Sequence, residues 1–319
     1  MRVCLYAPPI SRPFLVERLG RMDGLDLVDA ASEAEAIATL ARAEVFVMPQ
    51  QFTTPTLATA INGARDLRFL QLLTAGMEKF VGIRPSSSTV VSSGTGGLAP
   101  TVAEHAVALL MALARRLPQS MANQRDHNWD GTMKGSMDSL FDKTVAVVGF
   151  GTIGQEIARR LAVFGARVIG VSQSGRANPL AADVFPATRL DEALQQSDMV
   201  VLSLPSTPAT RHVLDSERLS RCRRGVLVVN VGRGNAIESE GLIAALESGH
   251  VAGAAVDVTD PEPLPRDSRI WTAPNLIVTP HCAAGGGYAR LADYVATNID
   301  RVRRGEEPLY PVAIPASAA

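Results

Sequence analysis

The sequence has few cysteines and no excess of charge of either sign. Its three cysteines, Cys4, Cys222 and Cys282, show no CxxC or metal-finger spacing, so neither disulfide bonds nor a bound metal are expected. The formal net charge is −1, which gives nucleic acid or an anionic membrane no strong attraction. We therefore expect reduced thiols, no metal and no nucleic-acid partner.

Long hydrophobic runs are also missing. The longest, AVALLMALA at residues 106–114, has nine residues, about half of what spans a bilayer. The N-terminus, MRVCLYAPPI, has one arginine and a short apolar run that ends at two prolines, which is unlike a signal peptide. These absences predict a cytoplasmic protein with no membrane partner.

The length and apolar content of the chain point to a globular α/β protein. With 319 residues, of which 46% are hydrophobic, the chain exceeds the usual size of one hydrophobic core, so two domains are expected. Short β-rich runs alternate with helical patterns, which is typical of βα units and a parallel sheet. We predict two Rossmann-like, doubly wound parallel-sheet domains.

Individual elements can be placed from the pattern. Strands are expected at 3–7, 45–48 and 69–73, and in the segments TVAVVGF, ARVIGV, DMVVLSL, GVLVVNV, VAGAAVDV and NLIVTP. Thr101 and Glu104 form a capping box, which predicts that a helix starts there. Near the end of the chain, apolar residues at helical spacing predict a last helix; they are Leu291, Val295, Ile299 and Val302.

A glycine-rich turn carries the first functional motif. VAVVGFGTIGQEIARRL places Gly149, Gly151 and Gly154 in G-x-G-x-x-G spacing between a predicted strand and an amphipathic helix. Gly149 permits the tight turn, Gly151 lets the backbone approach a pyrophosphate, and Gly154 lets the helix pack on the sheet. A glycine turn alone also serves plain βα geometry, but in this context it predicts a bound dinucleotide.

The next strand lacks the acidic residue that usually binds the adenosine ribose and repels the extra phosphate of NADP. The strand is followed by Ser172, Gln173, Ser174, Gly175 and Arg176. Hydroxyl groups and a guanidinium suit a 2′-phosphate, whereas a plain polar surface loop is the alternative interpretation. We expect NADP(H) to be preferred to NAD(H).

Three polar residues follow other predicted strands: Arg233 in VNVGRG, Glu262 in DVTDPEPLP and His281 in IVTPHC. Ligands of an open parallel sheet bind outside the carboxyl ends of the strands, so all three are candidates for one crevice beside the nicotinamide. Reduction of a 2-keto acid needs a carboxylate anchor, a proton donor and a group that keeps the donor protonated. We assign these roles to Arg233, His281 and Glu262, although each residue taken alone is as well explained as a solvated or structural side chain.

These motifs resemble the D-isomer-specific 2-hydroxyacid dehydrogenase family over nearly the whole chain. The matching stretches are LLTAGMEKF, TVAEHAVALLMALAR, VAVVGFGTIGQEIA, LSLPSTPATRHVLD, VLVVNVGRG, DVTDPEPLP and NLIVTPH. The resemblance implies Arg233, Glu262 and His281 as the catalytic set. It also implies an interdomain cleft between a flavodoxin-like, substrate-binding domain (1–99 plus 288–319) and a dinucleotide-binding Rossmann domain (100–287).

The same resemblance implies further contacts. The N–H groups of Ala75 and Gly76 would bind the substrate carboxylate, and the segment around Trp129 would form the arm of a homodimer. The implied coenzyme contacts are Thr152, Ile153, Pro205, Thr210, Val231 and Asp257. Asp257 has a second interpretation, as an acceptor for backbone N–H groups.

Ser172 stands where many members of the family carry aspartate, which resembles the NADPH-using reductases of glyoxylate and hydroxypyruvate. Gln51 and Phe52 are candidates for the wall of the substrate pocket. The histidines other than His281 are interpreted as structural or exposed, and Cys282 as a small apolar packing residue.

The predicted function is that of an enzyme that reduces a 2-keto acid to a D-2-hydroxy acid, and catalyses the reverse reaction, by hydride transfer. Two alternatives stay open, because a fold does not determine a function. One is a nucleotide-sensing, corepressor-like binding protein on the same scaffold. The other is a dehydrogenase of a different substrate, such as formate or phosphite.

Overall fold

The computed structural model describes residues 1–80 and 82–313, and the chain separates into two compact units. The first consists of residues 1–99 and 285–319, and the second of residues 100–284. Residues 314–319, which the predicted substrate-binding domain includes, lie outside the described part. Each unit is built on one parallel sheet.

The described residues form twelve strands and ten α-helices. The strands are β1 (Arg2–Leu5), β2 (Asp26–Asp29), β3 (Val45–Met48), β4 (Phe69–Leu72), β5 (Val90–Ser92), β6 (Thr144–Val148), β7 (Arg167–Ser172), β8 (Asp183–Pro186), β9 (Met199–Leu202), β10 (Val226–Asn230), β11 (Val251–Val256) and β12 (Leu276–Val278). The helices are α1 (Arg12–Gly20), α2 (Glu33–Leu40), α3 (Pro55–Gly63), α4 (Thr95–Ala114), α5 (Leu117–Arg125), α6 (Thr152–Val163), α7 (Leu190–Gln195), α8 (Ser216–Arg221), α9 (Ser239–Glu247) and α10 (Tyr288–Arg303).

Both sheets are wholly parallel, and both reverse their order at an inner strand. The first unit has the strand order β2-β1-β3-β4-β5, and the second has β12-β11-β10-β9-β6-β7-β8. The strands β3, β9 and β10 are buried along their whole length, as expected when helices cover both faces of a parallel sheet. This arrangement confirms the predicted fold class of two doubly wound sheets.

The last helix follows the sequence pattern. The four apolar residues predicted for its inner face are all at most 7% exposed in α10. Their spacing of three or four residues places them on one stripe of the helix. The prediction of this helix is confirmed.

Three short strands were not predicted: β2, β5 and β8. Each of them is an edge strand of its sheet. An edge strand is covered less than an inner one, and the sequences DLVD and DVFP mix acidic and proline residues with apolar ones, so the apolar signal is weak.

The prediction that a helix starts at a capping box at Thr101 is wrong, because α4 begins six residues earlier, at Thr95. The Thr95 N–H donates to Ser93 Oγ at 3.4 Å. Gly96 and Gly97 suggest a loop, but a Cβ on Gly96 would lie 2.6 Å from the Tyr294 ring and one on Gly97 would lie 2.9 Å from Leu291. The glycines are there because α10 packs closely against the first turn of α4.

The helix α4 has the length and composition of a membrane span, but 61% of its apolar window is buried inside the protein. Its buried residues from Val102 onwards belong to the core that packs against the sheet of the second unit. A helix that is apolar on most sides is expected at such a place. The composition of α4 is therefore explained by its position in the core.

Candidate active site

The site is built at the carboxyl ends of the strands in the second unit. Val148 of β6 is in register with Leu202 of β9, Leu202 with Asn230 of β10, Asn230 with Val256 of β11, and Val256 with Val278 of β12. The segments that leave these strands therefore start at one edge of the sheet. The strand order reverses between β6 and β9, which is where an open α/β sheet forms its ligand crevice.

The glycine turn between β6 and α6 has the geometry of a phosphate site. Gly149 has a φ of 98°, and a Cβ there would lie 2.8 Å from the Ser203 carbonyl oxygen. A Cβ on Gly154 would lie 2.3 Å from the Gly149 oxygen, whereas one on Gly151 would meet nothing within 4 Å. Gly149 and Gly154 are thus required because a side chain there would collide with the protein backbone. Gly151 instead leaves open space beside the N-terminus of α6, where Thr152 and Ile153 form the first turn. That space suits the pyrophosphate of a dinucleotide.

The segment after β7 forms a tight polar turn. Ser172 Oγ accepts the Gly175 N–H at 3.1 Å, and Ser174 Oγ accepts the Arg176 N–H at 3.4 Å. Gln173, Ser174 and Arg176 are exposed. Within residues 1–80 and 82–313, the Arg176 guanidinium has no ion-pair partner.

The turn that carries Arg233 is held by hydrogen bonds to the buried side-chain amide of Asn230. Asn230 is fully buried; its Nδ2 donates to the Arg233 carbonyl at 2.9 Å and its Oδ1 accepts the Gly232 N–H at 3.0 Å. A Cβ on Gly234 would lie 2.0 Å from the Thr259 carbonyl carbon. The Arg233 turn therefore lies directly against Thr259, three residues before Glu262.

Glu262 connects this turn to His281. Its Oε1 accepts the Thr259 N–H at 3.0 Å, and its Oε2 lies 2.8 Å from His281 Nδ1. Since a carboxylate can only accept, Nδ1 carries the proton, and Nε2 is the ring nitrogen left for a ligand. The His281 side chain is 55% exposed and that of Glu262 37%, so a ligand can reach the pair.

The backbone of His281 is in the left-handed region, with a φ of 51°. That conformation costs a residue with a Cβ about 1–2 kcal/mol. The His281 N–H donates to the carbonyl oxygens of Asp257, at 2.7 Å, and Thr279, at 3.0 Å. These two bonds hold the residue in the strained conformation.

The Asp257 carboxylate holds the rest of this loop. Asp257 is 2% exposed; its Oδ1 accepts the Thr279 hydroxyl at 2.6 Å and the Cys282 N–H at 3.0 Å, and its Oδ2 accepts the Ala283 N–H at 3.0 Å. This geometry corresponds to the second interpretation of Asp257, the acceptor for backbone N–H groups. Its contact with the nicotinamide stays a prediction.

His105 is a residue whose place the sequence did not reveal. Its Nε2 lies 3.1 Å from Thr279 Oγ1 and 3.4 Å from Asp257 Oδ1. Because the Thr279 hydroxyl donates to Asp257, the Nε2–H group of His105 donates to Thr279. The helix α4 thus braces the loop that carries His281. The only signal was the position of His105 on an apolar helix, which does not identify a partner 174 residues away.

The sequence predicts that Cys282 packs as a small apolar residue, and this prediction is wrong because its side chain is exposed. The other two cysteines, Cys4 and Cys222, are buried. The expectation failed because the residue lies in the loop beyond β12 and not in the strand. Burial first and the Asp257 carboxylate second raise the pKa of the Cys282 thiol. At neutral pH the group is a protonated thiol and a poor nucleophile.

Other predicted coenzyme residues lie at the same strand ends. Thr210 Oγ1 donates to the Pro205 carbonyl at 2.6 Å, which closes the turn after β9. Val231 is buried, and its N–H donates to the Leu202 carbonyl at 3.0 Å. Their contacts with a coenzyme stay predictions.

In the first unit, the loop after β4 offers two backbone donors. Among the described residues, the N–H groups of Ala75 and Gly76 donate to no protein acceptor. The loop is braced by Thr74, whose Oγ1 donates to the Gly76 carbonyl at 3.2 Å and whose carbonyl accepts the Gly94 N–H at 2.8 Å. Gln50 Oε1 accepts the Lys79 N–H at 2.9 Å, which places the segment with Gln51 and Phe52 beside the same loop. Two free N–H groups in one turn can bind a carboxylate.

A parallel sheet that carries a G-x-G-x-x-G turn at its switch point defines the dinucleotide-binding class of proteins. Residues 107–283 match the family described as "D-isomer specific 2-hydroxyacid dehydrogenase, NAD binding domain". The chain belongs to this family.

Relatives and solved structures agree with that assignment. The D-3-phosphoglycerate dehydrogenase of Mycobacterium tuberculosis is 30% identical over 301 residues, which cover 93% of this chain and 55% of that protein. The glyoxylate reductase of Korarchaeum cryptofilum is 32% identical over 265 residues, covering 80% of this chain and 79% of the relative. The chain thus spans about half the length of the phosphoglycerate dehydrogenases that it matches.

A solved structure similar to this chain is that of the NADPH-dependent glyoxylate/hydroxypyruvate reductase of Sinorhizobium meliloti in complex with NADP and sulfate. The two are 27% identical, with a TM-score of 0.83 over 98% of both chains.

The glycine turn generates a prediction that separates folding from ligand binding. Gly151→Ala has room for its methyl group, so we expect wild-type thermal unfolding but NADPH binding weakened by about tenfold, or about 1.4 kcal/mol. Gly154→Ala is the matched control, because its methyl group meets the Gly149 oxygen and should lower the free energy of unfolding by about 1–3 kcal/mol. Melting curves and fluorescence titrations measure both. Wild-type affinity in Gly151→Ala would contradict a pyrophosphate at this turn.

Proposed function

We propose that this protein is an oxidoreductase that interconverts a 2-keto acid and a D-2-hydroxy acid, with NADP(H) preferred to NAD(H). The observation that carries the proposal is the 2.8 Å contact between His281 Nδ1 and Glu262 Oε2. The pair lies at the same sheet edge as the glycine turn and the Arg233 turn. Support also comes from the relatives that are named as glyoxylate and hydroxypyruvate reductases.

Each residue of the set has one task in the proposed reaction. A nicotinamide coenzyme held at the glycine turn of residues 149–154 would supply the hydride for C2 of the keto acid and would accept it in the reverse direction. Arg233 orients the substrate carboxylate through paired hydrogen bonds. His281 Nε2 donates the proton that the C2 oxygen needs as it becomes a hydroxyl group, and takes it back in the reverse direction. Glu262 accepts the hydrogen bond from Nδ1–H and so keeps Nε2 as the nitrogen that faces the substrate.

We assign dinucleotide binding to the domain predicted as residues 100–287, and substrate binding to residues 1–99 plus 288–319. The first assignment is supported by the glycine turn. The second is supported by the N–H groups of Ala75 and Gly76, which have no acceptor among the described residues. Which keto acid is reduced depends on side chains near that loop, among which Gln51 and Phe52 are the proposed wall.

The preference for NADP(H) is proposed from the end of β7. The first acidic residue after Ser172 is Asp183, which pairs with Ile169 in the register of β7 and β8. Asp183 is therefore three residues back from Ser172, or about 10 Å along the strand, and cannot replace the missing ribose-binding carboxylate. Arg176 is exposed and free of ion pairs within the described residues, so it is available for the 2′-phosphate.

We expect Arg176→Ala to raise the KM for NADPH about tenfold, because a hydrogen bond to a charged group is lost, and to leave the KM for NADH unchanged. Ser172→Asp should raise the KM for NADPH and lower the KM for NADH. Arg167→Ala, at the opposite end of β7, is the matched control. Initial rates with glyoxylate and hydroxypyruvate measure all four proteins. Equal use of both coenzymes by the wild type would refute the proposed preference.

The role of His281 is tested by a substitution that keeps its backbone. Asparagine tolerates the left-handed conformation, so His281→Asn should fold and bind NADPH as the wild type does. We expect its kcat to fall by about 10²–10⁴, since the proton donor is lost. Stopped-flow NADPH oxidation and a separate coenzyme titration measure the two quantities.

His127→Asn is the control for this experiment, because His127 is also exposed and left-handed, with a φ of 52°, but lies outside the site. It should keep wild-type turnover. Undiminished kcat in His281→Asn would exclude the assigned role. A wild type that binds NADPH and turns over no keto acid would favour the corepressor-like alternative, whereas turnover of formate or phosphite would favour the other alternative.

We also propose a homodimer. In the segment that follows α4, Trp129 is 97% exposed, and Leu117 and Met121 are 49% and 64% exposed. Exposed apolar side chains in one segment are typical of an interface. Sedimentation equilibrium should give twice the chain mass for the wild type and a larger monomer fraction for Trp129→Ser. A wild-type monomer at micromolar concentration would contradict the assembly.

A cytoplasmic location is proposed from the thiols. All three cysteines are free, and burial raises the pKa of Cys4 to about 12 and that of Cys222 to about 11. Unpaired cysteines are usual in a reducing compartment. Cell fractionation tests the proposal, and recovery of the protein outside the cytoplasm would overturn it.

A further inference from the structure

Three side chains of the second unit, none of them in the proposed catalytic set, converge on one point. His105 comes from α4, Asp257 from the end of β11 and Cys282 from the loop after β12. One nitrogen, one oxygen and one sulfur atom from these residues all lie within 4.8 Å of one another. The residues are distant in sequence, so the fold alone brings them together.

The distances match a tetrahedral transition-metal site. His105 Nε2 and Asp257 Oδ1 are 3.4 Å apart. This is the distance expected between two ligand atoms of a tetrahedral site when both bind one Zn²⁺ at about 2.0–2.1 Å. The third donor, Cys282 Sγ, is on an exposed side chain, so it can rotate to the longer zinc–sulfur distance of about 2.3 Å. Three protein ligands leave one position for water.

The charge at this point also favours a cation. The Asp257 side chain is 1% exposed, and among the described residues only His105 comes within ion-pair distance of it. The other hydrogen bonds to this carboxylate come from neutral donors, the Thr279 hydroxyl and two backbone N–H groups. A buried negative charge without a permanently cationic partner is stabilised by a bound divalent ion.

We propose that His105, Asp257 and Cys282 form a binding site for Zn²⁺ and that its occupation inhibits the enzyme. Zinc takes the place of the proton on His105 Nε2, and that proton moves to Nδ1 so that the ring stays neutral. The proton of the Cys282 thiol is released to solvent. The cation draws Asp257 Oδ1 away from the Thr279 hydroxyl and the Cys282 N–H. These contacts hold the loop that begins at His281, so zinc moves the proton donor out of position.

The binding test uses the full chain without coenzyme and the metal ions alone. Zinc titration against a chromophoric chelator should show one equivalent bound, and Co²⁺ in its place should give the near-ultraviolet absorption of a thiolate–cobalt bond. Cys282→Ala should abolish that absorption and weaken zinc binding about tenfold or more, since even the loss of an outer-shell partner costs about that much. His105→Asn should weaken zinc binding similarly.

Matched controls are present in the chain. Cys222→Ala removes a buried thiol and His127→Asn an exposed imidazole outside the cluster, and both should bind zinc as the wild type does. Circular dichroism checks that every variant is folded. No stoichiometric binding, no thiolate absorption with Co²⁺, or wild-type affinity in folded Cys282→Ala would each overturn the site.

The second part of the proposal, that bound zinc inhibits the enzyme, rests on the proposed function and is measured in a separate experiment. Zinc should lower the rate of NADPH oxidation with glyoxylate in the wild type, a chelator should restore it, and Cys282→Ala should resist the metal while keeping its basal rate. Zinc that binds without inhibiting would overturn the proposed effect on the loop. A protein without any turnover would refute the proposed function, whereas the binding titration would still decide the metal site.

Discussion

The candidate site depends on one buried carboxylate that holds a strained loop. Asp257 accepts a hydroxyl group and two backbone N–H groups from residues 279–283, and its carbonyl accepts the N–H of His281. Hydrogen bonds to a charged acceptor are worth about 1.5–3 kcal/mol each, so the three bonds to this carboxylate together exceed the cost of one left-handed residue. The imidazole is therefore presented to Glu262 by the loop and does not depend on a bound ligand for its position.

A second constraint, the common register of the parallel strands, gathers the parts of the site. Leu202, Asn230 and Val256 are paired in series, so the segments after them leave the sheet at one level. Gly234 packs against Thr259, and the N–H group of Thr259 reaches Glu262. A chain of short contacts thus runs from the Arg233 turn to His281, although these residues are 48 positions apart in the sequence.

Much of this could be predicted because it depends on local patterns. Apolar runs followed by glycine or polar residues identified the inner strands, the glycine turn and the three catalytic candidates at strand ends. The start of α4 was missed because Gly96 and Gly97 serve the approach of Tyr294 and Leu291 from α10, a contact that no local pattern contains. The edge strands β2 and β8 were missed because their sequences, DLVD and DVFP, contain too few apolar residues to be distinctive.

The position of His105 beside Asp257 could not be predicted from the sequence either, because no local pattern contains this contact. It depends on how α4 packs on the sheet, and the apolar face of a helix does not specify which loop its one polar residue will meet. The exposure of Cys282 likewise follows from the course of the loop after β12, where the backbone turns through the left-handed conformation of His281. Long-range packing decides both.

The proposed reaction requires that the imidazole bound to Glu262 deliver the proton to the substrate oxygen. A crystal structure of the protein with NADP and oxalate, a non-reacting analogue of a 2-keto acid, tests it most directly. His281 Nε2 should lie within about 2.6–3.2 Å of an oxalate oxygen, with Glu262 still hydrogen-bonded to Nδ1 and Arg233 bound to the carboxylate. Oxalate bound away from Nε2, or an imidazole turned off Glu262, would contradict it.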